Sequence, residues 1–379
     1  MELILSEVKR LRQCTWECLQ FPQNTVSSQL NIAVTLAGLQ LFPGTRSDFG
    51  YSHEDSVDPL GGSIVIQMVK DRIIRLGPDS GVVQSVLKLR ARMKGLVLTF
   101  GDSLITLSRK DQKLILQKRH LVYVPLFIDG YDVTFQHFEP IFVNGTNTLD
   151  FSVPALRTYK GTGLSLYCAS LPEENSMEMY TRFHKPSAGE VIWDVGANAG
   201  ATTYHFSKAV GDSGRVIAWE PDPFNFSYLL KNISLHSLSN VTAVNKALSG
   251  TTGTALFDMD GSTGAGISEH LVYSQKANRS AVETLSFQDA CAQYGVPDFA
   301  KLDIEGGEVD VIRGALPFLK ANRNIDLSIE THRMRDESST EIPVKSLLDS
   351  IGYSVICFED AYGQHFLSAT GREKADSRT

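Results

Sequence analysis

Three short segments of the chain run from apolar residues into charged ones, and each carries residue types that can hold or transform a ligand. The first is Val191-Ile-Trp-Asp194-Val-Gly196-Ala-Asn198-Ala-Gly200, an apolar run that reaches an acid and passes into Gly-x-Asn-x-Gly. Glycines at such a turn let the backbone approach a ligand closely, and the start of a following helix offers N–H groups, so a nucleotide-like ligand is implied. The next apolar run, Arg215-Val-Ile-Ala-Trp-Glu220, ends on an acid 26 residues beyond Asp194. A carboxylate there can accept hydrogen bonds from both hydroxyls of a ribose.

The second segment is Phe299-Ala-Lys301-Leu-Asp303-Ile-Glu305-Gly-Gly-Glu308. Read as a strand continuing through 304, it puts Lys301, Asp303 and Glu305 on one side, at the edge where open parallel sheets bind ligands. A carboxylate among carboxylates can serve as a general base, and the same oxygens can hold a divalent cation such as Mg2+. Glu308 reads as a favourable charge at a helix start. The third segment, Ile325-Asp-Leu-Ser-Ile-Glu330-Thr-His332, again ends in charge. Glu330 and His332 lie two apart and share a side, and histidine is a base suited to neutral pH.

Two cofactor classes use strand-ending acids of this kind. A dinucleotide site calls for Gly-x-Gly-x-x-Gly beneath a pyrophosphate, and the middle glycine is missing here. Asp194 suits instead the cationic amino-acid portion of S-adenosylmethionine. A nicotinamide oxidoreductase is kept as the alternative. A further Gly-rich run, Asp258-Met-Asp-Gly-Ser-Thr-Gly-Ala-Gly266, has no Lys-Ser/Thr pair after it and reads as a flexible insertion rather than a phosphate cradle.

These residues need a sheet to position them. From residue 190 onward strand-like and helix-length segments alternate, the pattern of βαβ units. Strands are expected at 191–195, 215–220, 241–245, 255–259, 299–304, 325–330 and 353–358, with helices at 201–210, 224–236, 285–294, 308–320 and 344–351. Upstream, residues 63–117 alternate apolar and polar side chains and read as a small, mostly β N-terminal domain; within it Lys88, Arg90, Arg92 and Lys94 would give a strand one basic face. A short helix over 2–19 precedes an aperiodic stretch, 24–62. The domains expected are 1–120, a lead-in at 121–186, the ligand-binding domain at 187–370, and a polar tail at 371–379. An alternative gives the working role to the N-terminal β region, as a glycan- or protein-binding module.

The 379 residues carry 36 Lys and Arg against 43 Asp and Glu, a net charge of −7, so no nucleic-acid partner is expected. Five scattered cysteines suggest neither a disulfide framework nor a zinc site. No apolar run is long enough to span a membrane, and the first residues lack the basic start of a secretory signal, so a cytoplasmic protein is expected.

The ordered set Asp194-Val-Gly-Ala-Asn-Ala-Gly200, Glu220-Pro-Asp-Pro223, Val241-Thr-Ala-Val-Asn-Lys-Ala-Leu-Ser249, Thr284-Leu285, Lys301-Leu-Asp-Ile-Glu-Gly-Gly-Glu308 and Glu330-Thr-His332 resembles the FkbM family of S-adenosylmethionine-dependent methyltransferases, over about residues 175 to 370. The resemblance implies a Rossmann-like class I methyltransferase sheet of seven strands, mostly parallel with the last one antiparallel. It also implies O-methylation of a hydroxyl on a sugar, glycan or secondary metabolite. Carried over by position, it implies that Asp194, Gly196, Asn198 and Gly200 cradle the methionine part and Glu220 the ribose. Asn245, Lys246 and Ala247 would lie near the adenine, and Glu178 and Tyr180 would close over the cofactor. Asp303, Glu305, Glu330 and His332 would border the methyl group and its acceptor, with Asp303, Glu305 or His332 as base.

Overall fold

The structure is a computed structural model that describes residues 80–172, 177–259, 266–267, 279–333, 338–360 and 364–372. The expected helix over 2–19, the stretch 24–62, the alternation at 64–69, Cys14 and Cys18, most of the Gly-rich run and the tail beyond residue 372 lie outside the described residues. The chain divides into two compact units, Met1–Thr134 with Ile141–Thr148, and Phe135–Pro140 with Leu149–Thr379.

The first unit begins with α1 (Gly81–Met93) and continues through β1 (Val97–Phe100), β2 (Leu104–Arg109), β3 (Gln112–Gln117), α2 (Val124–Asp129), α3 (Tyr131–His137), β4 (Ile141–Val143) and β5 (Thr146–Asp150). The strands form one sheet in the order β1-β2-β3-β5-β4. The basic strand expected at 88–94 is instead the second half of α1. Val83, Leu87 and Ala91, four apart, are the buried residues of that helix, and Ser80 caps it by accepting from the Val83 N–H. Helical periodicity therefore spreads Lys88, Arg90, Arg92 and Lys94 around the helix rather than along one strand face.

In the second unit, β6 (Ala155–Thr158) and β7 (Ser165–Cys168) form a hairpin, and α4 (Met177–Tyr180) leads to the main sheet. Its alternating elements are β8 (Val191–Val195), α5 (Ala201–Val210), β9 (Arg215–Trp219), α6 (Pro223–Leu235) and β10 (Val241–Val244). A four-stranded side sheet follows, built from β11 (Ala247–Ser249), β12 (Gly253–Asp258), β13 (Gly266–Ile267) and β14 (Arg279–Ser286) in the order β11-β14-β12-β13. The chain then returns through α7 (Phe287–Tyr294), β15 (Phe299–Leu302), α8 (Glu308–Ala321), β16 (Asp326–Thr331), α9 (Glu341–Ser350), β17 (Ser354–Glu359) and β18 (His365–Thr370).

The seven main strands order as β10-β9-β8-β15-β16-β18-β17. Each neighbouring pair from β10 to β16 is parallel, and β18 runs antiparallel to β16 and β17 on either side of it. The inner strands are apolar on both faces because helices cover both. Trp193, Ile217 and Trp219 pack with residues of α7, α8 and α9 on one face. On the other, Ile192, Val216 and Phe299 pack with Phe206 and Val210 of α5, and Ala218 packs with Leu229 of α6. From β8 the chain moves first toward β10 and later returns to β15 on the opposite side, so the strand order reverses between β8 and β15. That reversal opens a crevice at the carboxyl ends of the strands, where ligands bind in sheets of this kind.

The expected helix 285–294 starts two residues late, because Leu285 is still on β14, paired with Leu248. The strand β18 was not expected. Among the described residues no helix is long and apolar enough to cross a membrane.

One buried group ties the first unit to pH. His120 is fully buried, with neither ring nitrogen hydrogen-bonded among the described residues. Burial, helped by neighbouring Arg119, lowers its pKa to about 3. Its contribution to stability is complete above the unfolded value near 6.5 and is lost as pH falls from there toward 3. Between pH 6 and 4 the native protein should therefore lose stability faster than His120→Leu, by up to about 1.4 kcal/mol per pH unit, in denaturant titrations across that range. Equal slopes would show that His120 is not the proton acceptor.

Candidate active site

One half of the crevice is organised by β8 and the loop after it. Asp194 is fully buried. Thr202 and Thr203, at the start of α5, donate their hydroxyls to its Oδ2 at 2.7 and 2.5 Å. Lys301 pairs with its Oδ1 at 3.2 Å from the neighbouring strand β15, where the two residues are in direct register. The same ammonium donates to the Gly196 carbonyl at 2.8 Å. Gly196 has φ +83° and its backbone lies against the Asp303 carbonyl; an added Cβ would meet that oxygen at 1.8 Å. Gly200, at φ +94°, lies against Leu229 of α6. Asn198 also occupies the left-handed region, which its side chain tolerates.

Glu220 staples two turns together. Its carboxylate accepts from the Asn198 N–H after β8 and from the Asp222 N–H after β9, each at 2.8 Å. Asn245 holds the same corner by donating to the carbonyls of Glu220 and Pro221. The backbone N–H groups of Gly196 and Ala197 go to the Trp219 carbonyl and that of Gly200 to Ala197. The N–H groups of Gly196, Ala197, Asn198 and Gly200 are thus engaged within the protein.

The other half gathers around Asp303. The Tyr180 hydroxyl lies 2.9 Å from Asp303 Oδ2 and 2.6 Å from Glu330 Oε2. Burial, and then the neighbouring Asp303 charge, raise the Glu330 pKa to about 8. Burial, Asp303 and Glu330 hold the Tyr180 hydroxyl well above its ordinary value. The Tyr180 hydroxyl thus lies between the Asp303 and Glu330 carboxyl groups, and its one proton is donated to one of them at a time. His332 donates Nδ1–H to Glu308 Oε1 at 2.9 Å. Its Nε2 stands 3.5 Å from Asp303 Oδ1, 3.9 Å from Glu305 Oε2 and 3.9 Å from Glu330 Oε1. Burial works against protonation of this ring, but Glu308, Glu305 and Glu330 outweigh it and raise the pKa well above 6.5.

The structure therefore brings Asp303, Glu305, Glu330 and His332 together, and joins Gly196 of the cofactor loop to Asp303 by direct backbone contact. Two expected cofactor residues are placed differently. Glu178 is exposed on α4, while Tyr180 one turn-half later points inward. Ala247 packs with Phe257 and Val282 in the core of the side sheet. The strand reading of 299–304 is shortened as well: β15 ends at Leu302, and Asp303 and Glu305 follow in a turn. Glu308, expected only as a helix-start charge, is fully buried, donor-bonded by the Gly306 N–H and by His332. The sequence singles out Lys301 with Asp303 and Glu305, but not its pairing with Asp194 across β15 and β8; the Glu308–His332 contact joins the start of α8 to the residue after β16 and carries no sequence signal.

Substitution at the loop glycines should separate these contacts. Gly196→Ala forces a Cβ into a fixed backbone carbonyl at a positive φ and should destabilise the protein by at least about 3 kcal/mol, whereas Gly200→Ala, meeting only the movable Leu229 methyl, should cost about 1–2 kcal/mol. Urea unfolding of the two variants measures both, and equal losses would contradict the close approach at Gly196.

Comparison with known proteins adds a family. Residues 194–355 match the family model described as "Methyltransferase FkbM domain". Among solved structures, a methyltransferase FkbM from Methylobacillus flagellatus KT is 15% identical with a TM-score of 0.38, covering 66% of this chain and 54% of that one. A precorrin-6y C5,15-methyltransferase from Geobacter metallireducens GS-15 is 15% identical, TM-score 0.33, with 51% and 85% covered. A SAM-dependent methyltransferase from Aquifex aeolicus is 15% identical, TM-score 0.31, with 52% and 93% covered. The chain spans about half the length of the Methylobacillus protein, and no curated protein matches it. The matched segment holds Asp194, Glu220, Asp303, Glu305, Glu308, Glu330 and His332, and over it the chain is similar to FkbM methyltransferases.

Proposed function

We propose that residues 187–370 transfer a methyl group from S-adenosylmethionine to a hydroxyl of a small-molecule or glycan acceptor, with residues 121–186 as lead-in and 1–120 outside the transfer. The order of the main strands, with helices on both faces, supports a Rossmann-like class I methyltransferase sheet. The observation that carries the proposal is the loop after β8: its N–H groups are engaged internally, while Glu220 and the carboxylate cluster stand at the same sheet edge. Such a loop suits a cationic sulfonium ligand better than a pyrophosphate. In this reading Gly196, Asn198 and Gly200 shape the methionine pocket, Asp194 holds that pocket's floor, and Glu220 takes the ribose. Asn245 fixes the corner beside it.

The chemistry asks little of the protein. The acceptor oxygen attacks the methyl carbon in line, the O–C bond forms as the C–S bond breaks, and the sulfonium becomes the neutral thioether of S-adenosylhomocysteine. The hydroxyl proton passes to Asp303, which Tyr180 and His332 hold in place. Alignment supplies most of the rate and the base adds to it. A divalent cation is an addition to this reading, not a requirement of it. The reading goes with a cytoplasmic protein, where the methyl donor is made.

Isothermal titration of the purified chain with S-adenosylmethionine, S-adenosylhomocysteine and NAD+ tests the cofactor. The first two should bind and NAD+ should not, and Glu220→Gln should weaken S-adenosylhomocysteine at least about tenfold, or 1.4 kcal/mol. Binding of NAD+ alone would overturn the proposal in favour of an oxidoreductase. A folded protein that binds none of the three would overturn it in favour of the N-terminal region as the working part.

A further inference from the structure

We propose that Asp303, Glu305, Glu330 and His332 form a binding site for one divalent transition cation of the Mn2+ type. The inference rests on the methyl-transfer reading only for its use, not for its geometry. One donor atom each from Asp303, Glu305 and His332 lie within 4.8 Å of one another. The Nε2 distances to Asp303, Glu305 and Glu330, 3.5, 3.9 and 3.9 Å, are beyond good hydrogen bonds. They are near the spacing of ligands around one ion, since two donors about 2.1 Å from a common cation stand roughly 3.0–3.4 Å apart at right or tetrahedral angles. A small contraction would complete the shell.

Three further observations point at the same spot. The imidazole is oriented as metal-bound histidines are, with its other nitrogen donating to a carboxylate; Glu308 is fully buried and is itself held by the Gly306 N–H. Asp303 commits Oδ2 to Tyr180, which leaves Oδ1 turned toward His332. Independently of both, Glu330 is only 9% exposed and gives Oε2 to Tyr180, while its Oε1 makes no hydrogen bond among the described residues and faces His332 Nε2. An ion at this point would take that oxygen as a ligand. The Asp303 and Glu305 side chains are 27% and 30% exposed, which leaves room for water or an acceptor hydroxyl to finish the coordination.

The donor set decides the kind of ion. Mg2+ prefers oxygen alone, as the sequence-level expectation had it, but an imidazole among carboxylates shifts preference toward Mn2+, Fe2+, Co2+ or Zn2+. An acceptor hydroxyl on such an ion is held in place and made more acidic, easing the proton loss the transfer needs.

The test uses Mn2+ alone, titrated calorimetrically and followed by electron paramagnetic resonance, on chelator-treated full-length protein. The native chain should bind one Mn2+, and Mg2+ more weakly. Asp303→Asn, His332→Ala and Glu305→Gln should each weaken Mn2+ about tenfold or more. Glu305→Gln, on a partly exposed turn, keeps the test valid if the buried substitutions unfold the protein, and Asp349→Asn on α9 should bind as the native chain does. S-adenosylhomocysteine is titrated into the same samples. Binding of S-adenosylhomocysteine without Mn2+, or Mn2+ binding unchanged in Glu305→Gln, overturns the cation site and leaves the methyltransferase reading standing. Mn2+ binding without S-adenosylhomocysteine keeps the site and overturns its use.

Discussion

A single buried ammonium holds the two halves of the crevice at a fixed spacing. Lys301 is 2% exposed, yet it is charge-paired with Asp194, hydrogen-bonded to the Gly196 carbonyl, 3.7 Å from Asp303 Oδ2 and 5.1 Å from the Tyr180 ring centre. Burying an ion is unfavourable unless it is paired and hydrogen-bonded, and removing one partner leaves the other stranded. Asp194 and Lys301 thus depend on each other. Because they sit in register on adjacent parallel strands, their pairing also fixes where the loop after β8 stands relative to the turn after β15.

Charge is distributed unequally as a result. Beside β8, Asp194 is answered by two threonine hydroxyls and Lys301. Beside β15 and β16, Asp303, Glu305 and Glu308 face His332, and burial with the Asp303 charge raises the Glu330 pKa. Tyr180 depends in turn on the segment that follows it. His184, downstream in that segment, stacks on Phe299 and bonds both Glu190 and Asp326. Burial opposes its charge, but the two carboxylates prevail and raise its pKa. An imidazolium at this point pins the strap to β16 and to the start of β8, and Tyr180 is held over the carboxylates from one end.

Much of this was legible as sequence where the signal was local. Residues 191–195 and 201–210 match β8 and α5, because an unbroken apolar run bounded by glycines can be little else inside an α/β domain. The acids Asp194, Glu220, Asp303 and Glu330 were found from their position at strand ends. What escaped was set by tertiary contact. Lys88–Lys94 alternates like a strand, yet the four-residue spacing of Val83, Leu87 and Ala91 wins once those residues have a core to face. β18 has little to mark it except its two neighbours in the sheet. Glu178 and Tyr180 were read together, and only the fold distinguishes the exposed one from the one that reaches Asp303.

The turn between β15 and α8 departs from the alternation expected of it. Alternation along a strand was expected to set Asp303 beside Glu305, but the strand stops at Leu302. Glu305 then adopts φ +54° and Gly306 φ +105°, two successive positive values that reverse the chain within a residue or so. The left-handed region costs a non-glycine residue about 1–2 kcal/mol. A glycine at 305 would avoid that cost, so the side chain must earn its place by what it reaches, which is His332. The same reversal lets the Gly306 N–H hold Glu308, whose carboxylate accepts from the other nitrogen of that ring. Strain at Glu305 thereby helps aim one imidazole nitrogen at three carboxylates, an arrangement that no regular strand or helix over residues 303–308 could supply.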